Sequence, residues 1–174
     1  MLRIAKLGIF FFLAVISVAF LEAQQPAEAA PVPAQILTSK KAFVSNAGLD
    51  SLSAAALKRE GDPDRPYRQF YAAMKSWGRY ELVTAPGDAD LVFEIRFTAP
   101  LDTCGNSTCY APQLGLAILD AKTHFTLWTL VEPVNGAFRK NTWDKNFNQG
   151  MTDLMNDLKK LAGPTPSTAD SAKN

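Results

Sequence analysis

The alternation of side chains between Leu91 and Phe97 constrains the fold of this chain more than any other feature of its sequence. In the segment LVFEIRF, one side of an extended chain carries Leu, Phe, Ile and Phe, while the other side carries Val92, Glu94 and Arg96. A period of two residues is typical of a β-strand that buries only one face deeply. The segment therefore predicts a strand with one buried face and one face partly exposed to solvent.

Two more strands are predicted directly downstream. Leu114–Asp120 alternates in the same way, and Phe125–Val131 follows it after a turn at Asp120–Thr123. Pro133 ends the last of these strands, because proline cannot donate to a sheet ladder. We interpret these three strands as joined by hairpins, so we expect them to be antiparallel.

Two shorter strands are expected upstream. Ile36–Ser45 is rich in β-forming residues and precedes the turn-forming residues Asn46–Gly48. Tyr80–Val83 is closed by the turn dipeptide Pro86-Gly87.

Helix signals surround these strands. Asp64 suits the N-cap of a helix, Pro66 its first turn and Gly78 the position after its end, and an apolar stripe runs between them. A short helix is predicted within Leu49–Arg65.

A final helix is predicted over Trp143–Leu161, capped by Asn141 or Thr142. Gly150 falls on its apolar stripe, where glycine costs about 1 kcal/mol of helix propensity relative to alanine. Close approach of the helix backbone to the sheet would explain that glycine. The order of elements predicts an α+β fold: a mainly antiparallel sheet of four to five strands with two principal helices packed on one face.

The amino terminus has the pattern of an export signal. Two positive charges in the first six residues precede the apolar run Leu7–Leu21, which is shorter than the roughly 20 residues that span a bilayer. Cleavage after Ala23 is expected, with Ala19 and Ala29 as alternatives, and an uncleaved anchor is the competing interpretation. We therefore predict a signal peptide at 1–23, a flexible Pro/Ala linker at 24–34, a single domain at 35–162 and a disordered tail at 163–174.

The charge balance argues against nucleic-acid binding. The 174-residue chain has 18 Lys and Arg residues against 17 Asp and Glu residues. Removing the predicted signal, with Arg3, Lys6 and Glu22, leaves 16 of each and a formal net charge of zero. Nucleic-acid binders and polybasic membrane-surface proteins are usually strongly basic.

The two cysteines, Cys104 and Cys109, are expected to form a disulfide, because exported chains are oxidised and the pair is close in sequence. The disulfide would staple the loop between two hairpin strands. A redox pair and a zinc site are the alternatives. Four intervening residues do not fit the usual redox spacing, and two thiolates with one distant histidine do not fill four coordination positions.

No catalytic group emerges from the sequence. His124, the single histidine, lies in a predicted turn without a nucleophile motif. Acid–base catalysis by two carboxylates, as in a hydrolase, is the remaining alternative. The candidate carboxylates are those near strand ends or on the exposed face: Asp88, Asp90, Glu94 and Asp120. Asp88, Asp90 and Asp120 are better explained as turn residues.

The best candidate binding face combines Glu94, Arg96 and Trp128. Glu94 and Arg96 lie two residues apart on one strand, and Trp128 is expected to face the same way. Such a mixed aromatic and charged face could bind a partner chain or a glycan. The alternative is a solvated face with a cross-strand ion pair and a tryptophan covered by a loop.

Two segments resemble known envelope proteins. Tyr80–Ile95 combines an aromatic strand, a proline turn, an Ala-Asp pair and an apolar strand, and Ile118–Trp128 combines an apolar strand, an Asp-x-x-Thr turn and a Leu-Trp strand. Both are similar to a group of small exported bacterial proteins. More distantly, they resemble the α/β domain at the amino end of TolB and that of the LpoB and CsgG envelope lipoproteins. The resemblance implies a periplasmic or envelope protein-interaction domain without catalytic residues.

We therefore expect an exported, non-catalytic domain that binds a protein in the periplasm. It would need no cofactor, bind no nucleic acid and have no stable membrane span once the signal is cleaved. A small-molecule or glycan-binding module is the first alternative, and a carboxylate-dependent hydrolase is the second.

Overall fold

A computed structural model describes residues 30–49, 53 and 62–163 of the chain. The predicted signal, most of the linker, most of the segment expected to hold a short helix and the predicted tail beyond residue 163 lie outside the described residues. All the elements below belong to the compact unit that begins at Val32.

Three α-helices, a short 3-10 helix at Pro86–Asp88 and seven strands have described bounds. The helices are α1 (Ala34–Thr38), α2 (Arg65–Trp77) and α3 (Lys140–Ala162). The strands are β1 (Lys41–Asn46), β2 (Glu81–Leu82), β3 (Leu91–Thr98), β4 (Leu101–Cys104), β5 (Ser107–Tyr110), β6 (Gln113–Asp120) and β7 (Thr126–Pro133).

Five strands form one mixed sheet in the order β2-β1-β3-β6-β7. The antiparallel arrangement predicted for β3, β6 and β7 is confirmed. β1, however, pairs in parallel with both β2 and β3. Parallel neighbours need a long crossover, and the chain between β1 and β2, which includes α2, provides it. The α+β class is as expected, while half of the strand pairings in this sheet are parallel.

The main core lies on one side of β3. The ring of Phe93 is 6.4 Å from that of Phe70 on α2 and 5.3 Å from that of Tyr80. Farther along the strand, the ring of Phe97 is 6.0 Å from that of Phe147 on α3. Side chains of both long helices therefore contact the same set of strand residues.

The strand expected to begin at Ile36 begins later, at Lys41. Ile36 instead lies in the single turn of α1, where its side chain is fully buried. The Tyr80 hydroxyl donates a hydrogen bond to the Ile36 carbonyl at 2.8 Å, and the Arg79 guanidinium donates to the Leu37 carbonyl. These long-range contacts outweigh the local preference of this segment for extended structure.

The ends of the long helices agree only partly with the predicted caps. α2 ends at Gly78 as expected, with a left-handed φ of 66° and its N–H donating to the Met74 carbonyl at 3.1 Å. Asp64 occupies the N-cap position, but its carboxylate accepts a hydrogen bond from the Asn46 amide instead of from the helix. α3 starts at Lys140 with Arg139 at its N-cap position, so the start expected at Trp143 and the cap expected at Asn141 or Thr142 are wrong.

Gly150 lies where the backbone of α3 approaches the end of the sheet. A Cβ atom at this position would be 3.1 Å from Val134 Cγ2 and 3.3 Å from the Pro133 carbonyl oxygen. The close approach inferred from the sequence is therefore present.

The disulfide segment forms its own two-stranded sheet. β4 and β5 pair antiparallel from Leu101 opposite Tyr110 to Cys104 opposite Ser107. The turn between them is Gly105-Asn106, with Gly105 at a φ of 61°. A two-residue Gly-Asn connection is a hairpin signal, and the sequence prediction of a stapled loop did not use it.

Candidate functional site

The face of the sheet opposite the helices carries two of the predicted site residues. On β3, Glu94 lies between Ser45 of β1 and Ala117 of β6, and Arg96 lies opposite Gly115 of β6. Paired residues of neighbouring strands point to the same side of a sheet. We call this side the open face and define it by Ser45, Glu94, Arg96, Gly115, Ala117, Thr129 and Val131.

Arg96 lies against the backbone of the adjacent strand. A Cβ atom on Gly115 would be 3.1 Å from Cγ of Arg96 and 3.5 Å from its Cδ. The glycine therefore leaves room for the aliphatic part of the arginine to lie over the backbone of β6, while the residue as a whole remains exposed. Gly115 is a site residue that the sequence analysis did not single out.

The charges of Glu94 and Arg96 are not neutralised within the described part of the chain. Ion pairs there join other residues, such as Lys140 with Asp144 and Lys160 with Asp157. Across residues 30–49, 53 and 62–163, neither Glu94 nor Arg96 forms an ion pair. The cross-strand ion pair considered as an alternative is thus absent between the described residues.

Trp128 does not join these two residues, and its expected orientation is wrong. It is aligned with Ile118, which is fully buried on the helix side of β6. A bulge explains the error: Ile118 is opposite Trp128, whereas Leu119 is opposite Thr126, so Leu127 is an extra residue. Trp128 packs half-buried against the core instead.

Val131 occupies the open face in place of the tryptophan. It is aligned with Gly115 and is 55% exposed. Between Val131 and β3, the open face consists of the small residues Gly115 and Ala117, and Ala117 is only 5% exposed. The face thus offers one cation, one anion and an exposed apolar side chain.

Two of the candidate carboxylates stabilise turns and strand ends, as expected. Asp90 accepts hydrogen bonds from the backbone N–H groups of Lys41 at 2.9 Å and Lys40 at 3.1 Å, which lower the pKa of its carboxyl. Asp120 accepts from the N–H groups of Thr123 and Lys122, and these bonds lower its pKa. For either carboxylate to act in acid–base catalysis, these hydrogen bonds would have to be broken.

A carboxyl pair that the sequence did not reveal joins β7 to α3. Burial raises the pKa of Glu132, and a hydrogen bond with Asp157 and the nearby charge of Asp157 raise it further. The pKa of Asp157 is lowered, chiefly by its hydrogen bond from Lys160, whose Nζ lies 2.6 Å from Oδ1. Glu132 is aligned with buried Leu114, so this pair lies on the helix side and is separate from the open face. No sequence spacing signals it, because the two acids belong to different elements.

The remaining predicted residues lie on turns and hairpins. Cys104 and Cys109 form the predicted disulfide, with their Cα atoms 5.8 Å apart. His124 is exposed in the β6–β7 turn with a left-handed φ of 59°. The described residues contain no cluster of three or more His, Cys, Asp or Glu side chains that could hold a metal ion. Within the same part of the chain, no helix is long and apolar enough to cross a membrane.

A shallow groove of about 270 Å³ lies between the two long helices. Trp77 of α2 and the methionines Met151 and Met155 of α3 form its apolar lining, and Asn156 and Lys159 add polar groups.

No family model matches the chain, and no curated protein matches it. Several solved bacterial structures do. A Xanthomonas campestris protein of the DUF330 family is 14% identical, with 84% of this chain and 95% of that chain covered and a TM-score of 0.46. PelC of Paraburkholderia phytofirmans, a dodecamer, is 14% identical over 78% and 96% of the two chains, with a TM-score of 0.45. A minor lipoprotein of Acinetobacter baumannii is 14% identical over 71% and 93%, with a TM-score of 0.34.

These similarities are too weak to carry a functional argument. The kinds of protein matched, a DUF330 member and a lipoprotein among them, are of the general kind expected from the sequence. The more specific relationship to TolB, LpoB and CsgG stays a prediction.

Proposed function

We propose that this protein is an exported, non-catalytic domain that binds another protein of the cell envelope through its open face. The observation that carries the proposal is the pair of charges on Glu94 and Arg96, which have no ion-pair partner among the described residues and flank the buried residue Ala117 of β6. The export pattern of the first 23 residues and the disulfide support an extracytoplasmic setting.

The geometry of β3 favours an extended or helical protein segment as the ligand. Glu94 and Arg96 are two residues apart on a strand, which separates them by about 7 Å along its axis. A partner with one basic and one acidic side chain at a similar spacing could neutralise both. The exposed side chain of Val131 would then contact an apolar residue of the same partner.

Non-catalytic binding is part of the proposal. Asp90 and Asp120 are engaged by backbone N–H donors, and the Glu132–Asp157 pair lies on the helix side of the sheet. The open face itself offers a single carboxylate, Glu94, whereas glycoside hydrolysis and related reactions use two.

The test is recovery of partners from envelope extracts with the chain as it is exported. Arg96→Gln removes the open-face cation and should weaken capture about tenfold or more, since a hydrogen bond to a charged group contributes about 1.5–3 kcal/mol. Lys75→Gln is the matched control, because it removes an exposed cation from α2. Equal recovery with Arg96→Gln and Lys75→Gln would exclude the open face.

The interhelical groove supports the alternative function, a small-molecule or glycan-binding module. A thermal-shift screen against cell-wall fragments tests it. A ligand for this site should raise the melting temperature of the wild-type protein and of Arg96→Gln alike, and Met155→Lys, at the groove, should abolish the shift.

A further inference from the structure

The outer edge of β7 carries unpaired backbone groups. β7 is the last strand of the five-stranded sheet, and in the described part of the chain no strand pairs with its outer side. The Val134 N–H donates to the Pro112 carbonyl at 2.7 Å. This bond shows which residues of β7 direct their backbone N–H and C=O groups toward β6 in the antiparallel ladder. Because the direction of the backbone groups alternates along such a ladder, Trp128, Leu130 and Glu132 bond to β6. Thr129 and Val131 direct their N–H and C=O groups outward.

The usable part of this edge is short and sharply bounded. At one end Leu127 is the extra residue of the bulge, and at the other Pro133 has no N–H to donate. The outward N–H groups of the regular part of β7 are therefore those of Thr129 and Val131. Each belongs to a residue that also presents an outward carbonyl.

We propose that this edge pairs antiparallel with the same edge of a second copy of the chain, around a two-fold axis at Leu130. In that register Thr129 is opposite the partner's Val131, and Val131 is opposite the partner's Thr129. Each outward N–H of one copy then meets an outward carbonyl of the other. A shift of the axis to Thr129 would pair Val131 with the bulge residue of the other copy and lose this match.

The side-chain pairs that this register produces are also favourable. Leu130 is opposite its own copy, and Thr129 meets a β-branched valine, a favourable cross-strand pair. Glu132 is opposite the partner's Trp128, whose indole N–H can donate to a carboxylate. No like charges oppose each other, because Glu132 is the single charged residue of β7. The side chain of Val131 would lie beside Thr129 of the second copy and stay on the open face.

Proline at position 131 tests the pairing without disturbing the fold. The N–H of Val131 points away from β6, so Val131→Pro removes a bond to the second copy and leaves the internal ladder intact. Analytical ultracentrifugation of the exported chain should show a concentration-dependent dimer for the wild type. Val131→Thr, which keeps the N–H and the β-branch, should remain dimeric, whereas Val131→Pro should be monomeric with an unchanged far-UV circular dichroism spectrum.

A second measurement reports the register directly. Two Leu130 side chains meet at the proposed axis, so Leu130→Cys should form a covalent dimer under mild oxidation, whereas His124→Cys, far from the axis, should not. The native cysteines are joined to each other and do not compete. A wild-type monomer at all concentrations, a Val131→Pro dimer, or equal cross-linking from positions 124 and 130 would each overturn the proposal. Dimerisation is independent of Arg96, so this result is separate from the test of the open face.

Discussion

At the scale of single residues, two glycines leave room for neighbouring groups that a side chain would displace. Gly150 lets α3 approach Val134, and Gly115 lets the side chain of Arg96 lie over the backbone of β6. The first could be inferred from the sequence, because it interrupts an apolar helical stripe. The second could not, since glycine in a strand does not reveal which side chain from the next strand lies over it.

Gly150→Leu should destabilise the fold by overpacking. The new side chain would have to displace Val134 and the Pro133 carbonyl, and insertions of this kind typically cost about 1–3 kcal/mol. Denaturant unfolding should show the loss as a lower midpoint. Lys145→Leu, at an exposed position of the same helix, is the control and should change the midpoint little. An unchanged midpoint for Gly150→Leu would contradict the described packing.

The carboxylate of Asp120 should make stability depend on pH. Hydrogen bonds from the Thr123 and Lys122 N–H groups lower its pKa, and Gln35 donates to its other oxygen. A carboxyl with a lowered folded-state pKa stabilises the protein above its ordinary pKa, and this contribution is lost as the pH falls through the folded-state pKa.

Asp120→Asn should therefore be less stable than the wild type at neutral pH. The difference in free energy of unfolding should shrink as the pH falls below about 4. Urea unfolding over a pH series measures it, with Asp88→Asn as an exposed control. A difference that does not change with pH would show that the charge of Asp120 is not responsible.

At the scale of elements, the sequence predicts strands well where one face is clearly buried and poorly at the edges. The side chains of β3 that are buried are the predicted ones, because that face of the strand contacts both long helices. In β7 the predicted orientation of the side chains is wrong. The bulge at Leu127 inverts the alternation, and Val131 on this edge strand is exposed. Period-two patterns do not reveal an extra residue.

The β4–β5 hairpin should behave as a local unit. It forms a sheet separate from the main one, and Leu101 and Tyr110 at its base are both largely exposed. Replacing Cys104 and Cys109 by serine should open the hairpin, since loop closure by so short a ring contributes roughly 2 kcal/mol. Amide hydrogen exchange should become faster in β4 and β5 and stay unchanged in β3 and β6. Faster exchange throughout the main sheet would show that the disulfide stabilises the whole domain.

At the scale of the whole molecule, the order of the strands is what the sequence could not supply. Nothing local to β1 indicates that it pairs in parallel with both β2 and β3, because α2 lies between β1 and each of these strands in the sequence. The placement of the open face depends on this order. With β1 and β6 on either side of β3, Glu94 and Arg96 are central in the sheet rather than at its edge.

That central position makes site-specific photo-cross-linking in the cell envelope the most direct test of the proposed function. A photoreactive residue at Ser45, beside Glu94 on the open face, should capture a protein partner, and Arg96→Gln should reduce the yield of that adduct. The same probe at Lys145, exposed on α3, is the comparison. The expected result is an adduct at position 45 whose yield depends on Arg96. No adduct at position 45, or equal adducts at positions 45 and 145 regardless of Arg96, would contradict it.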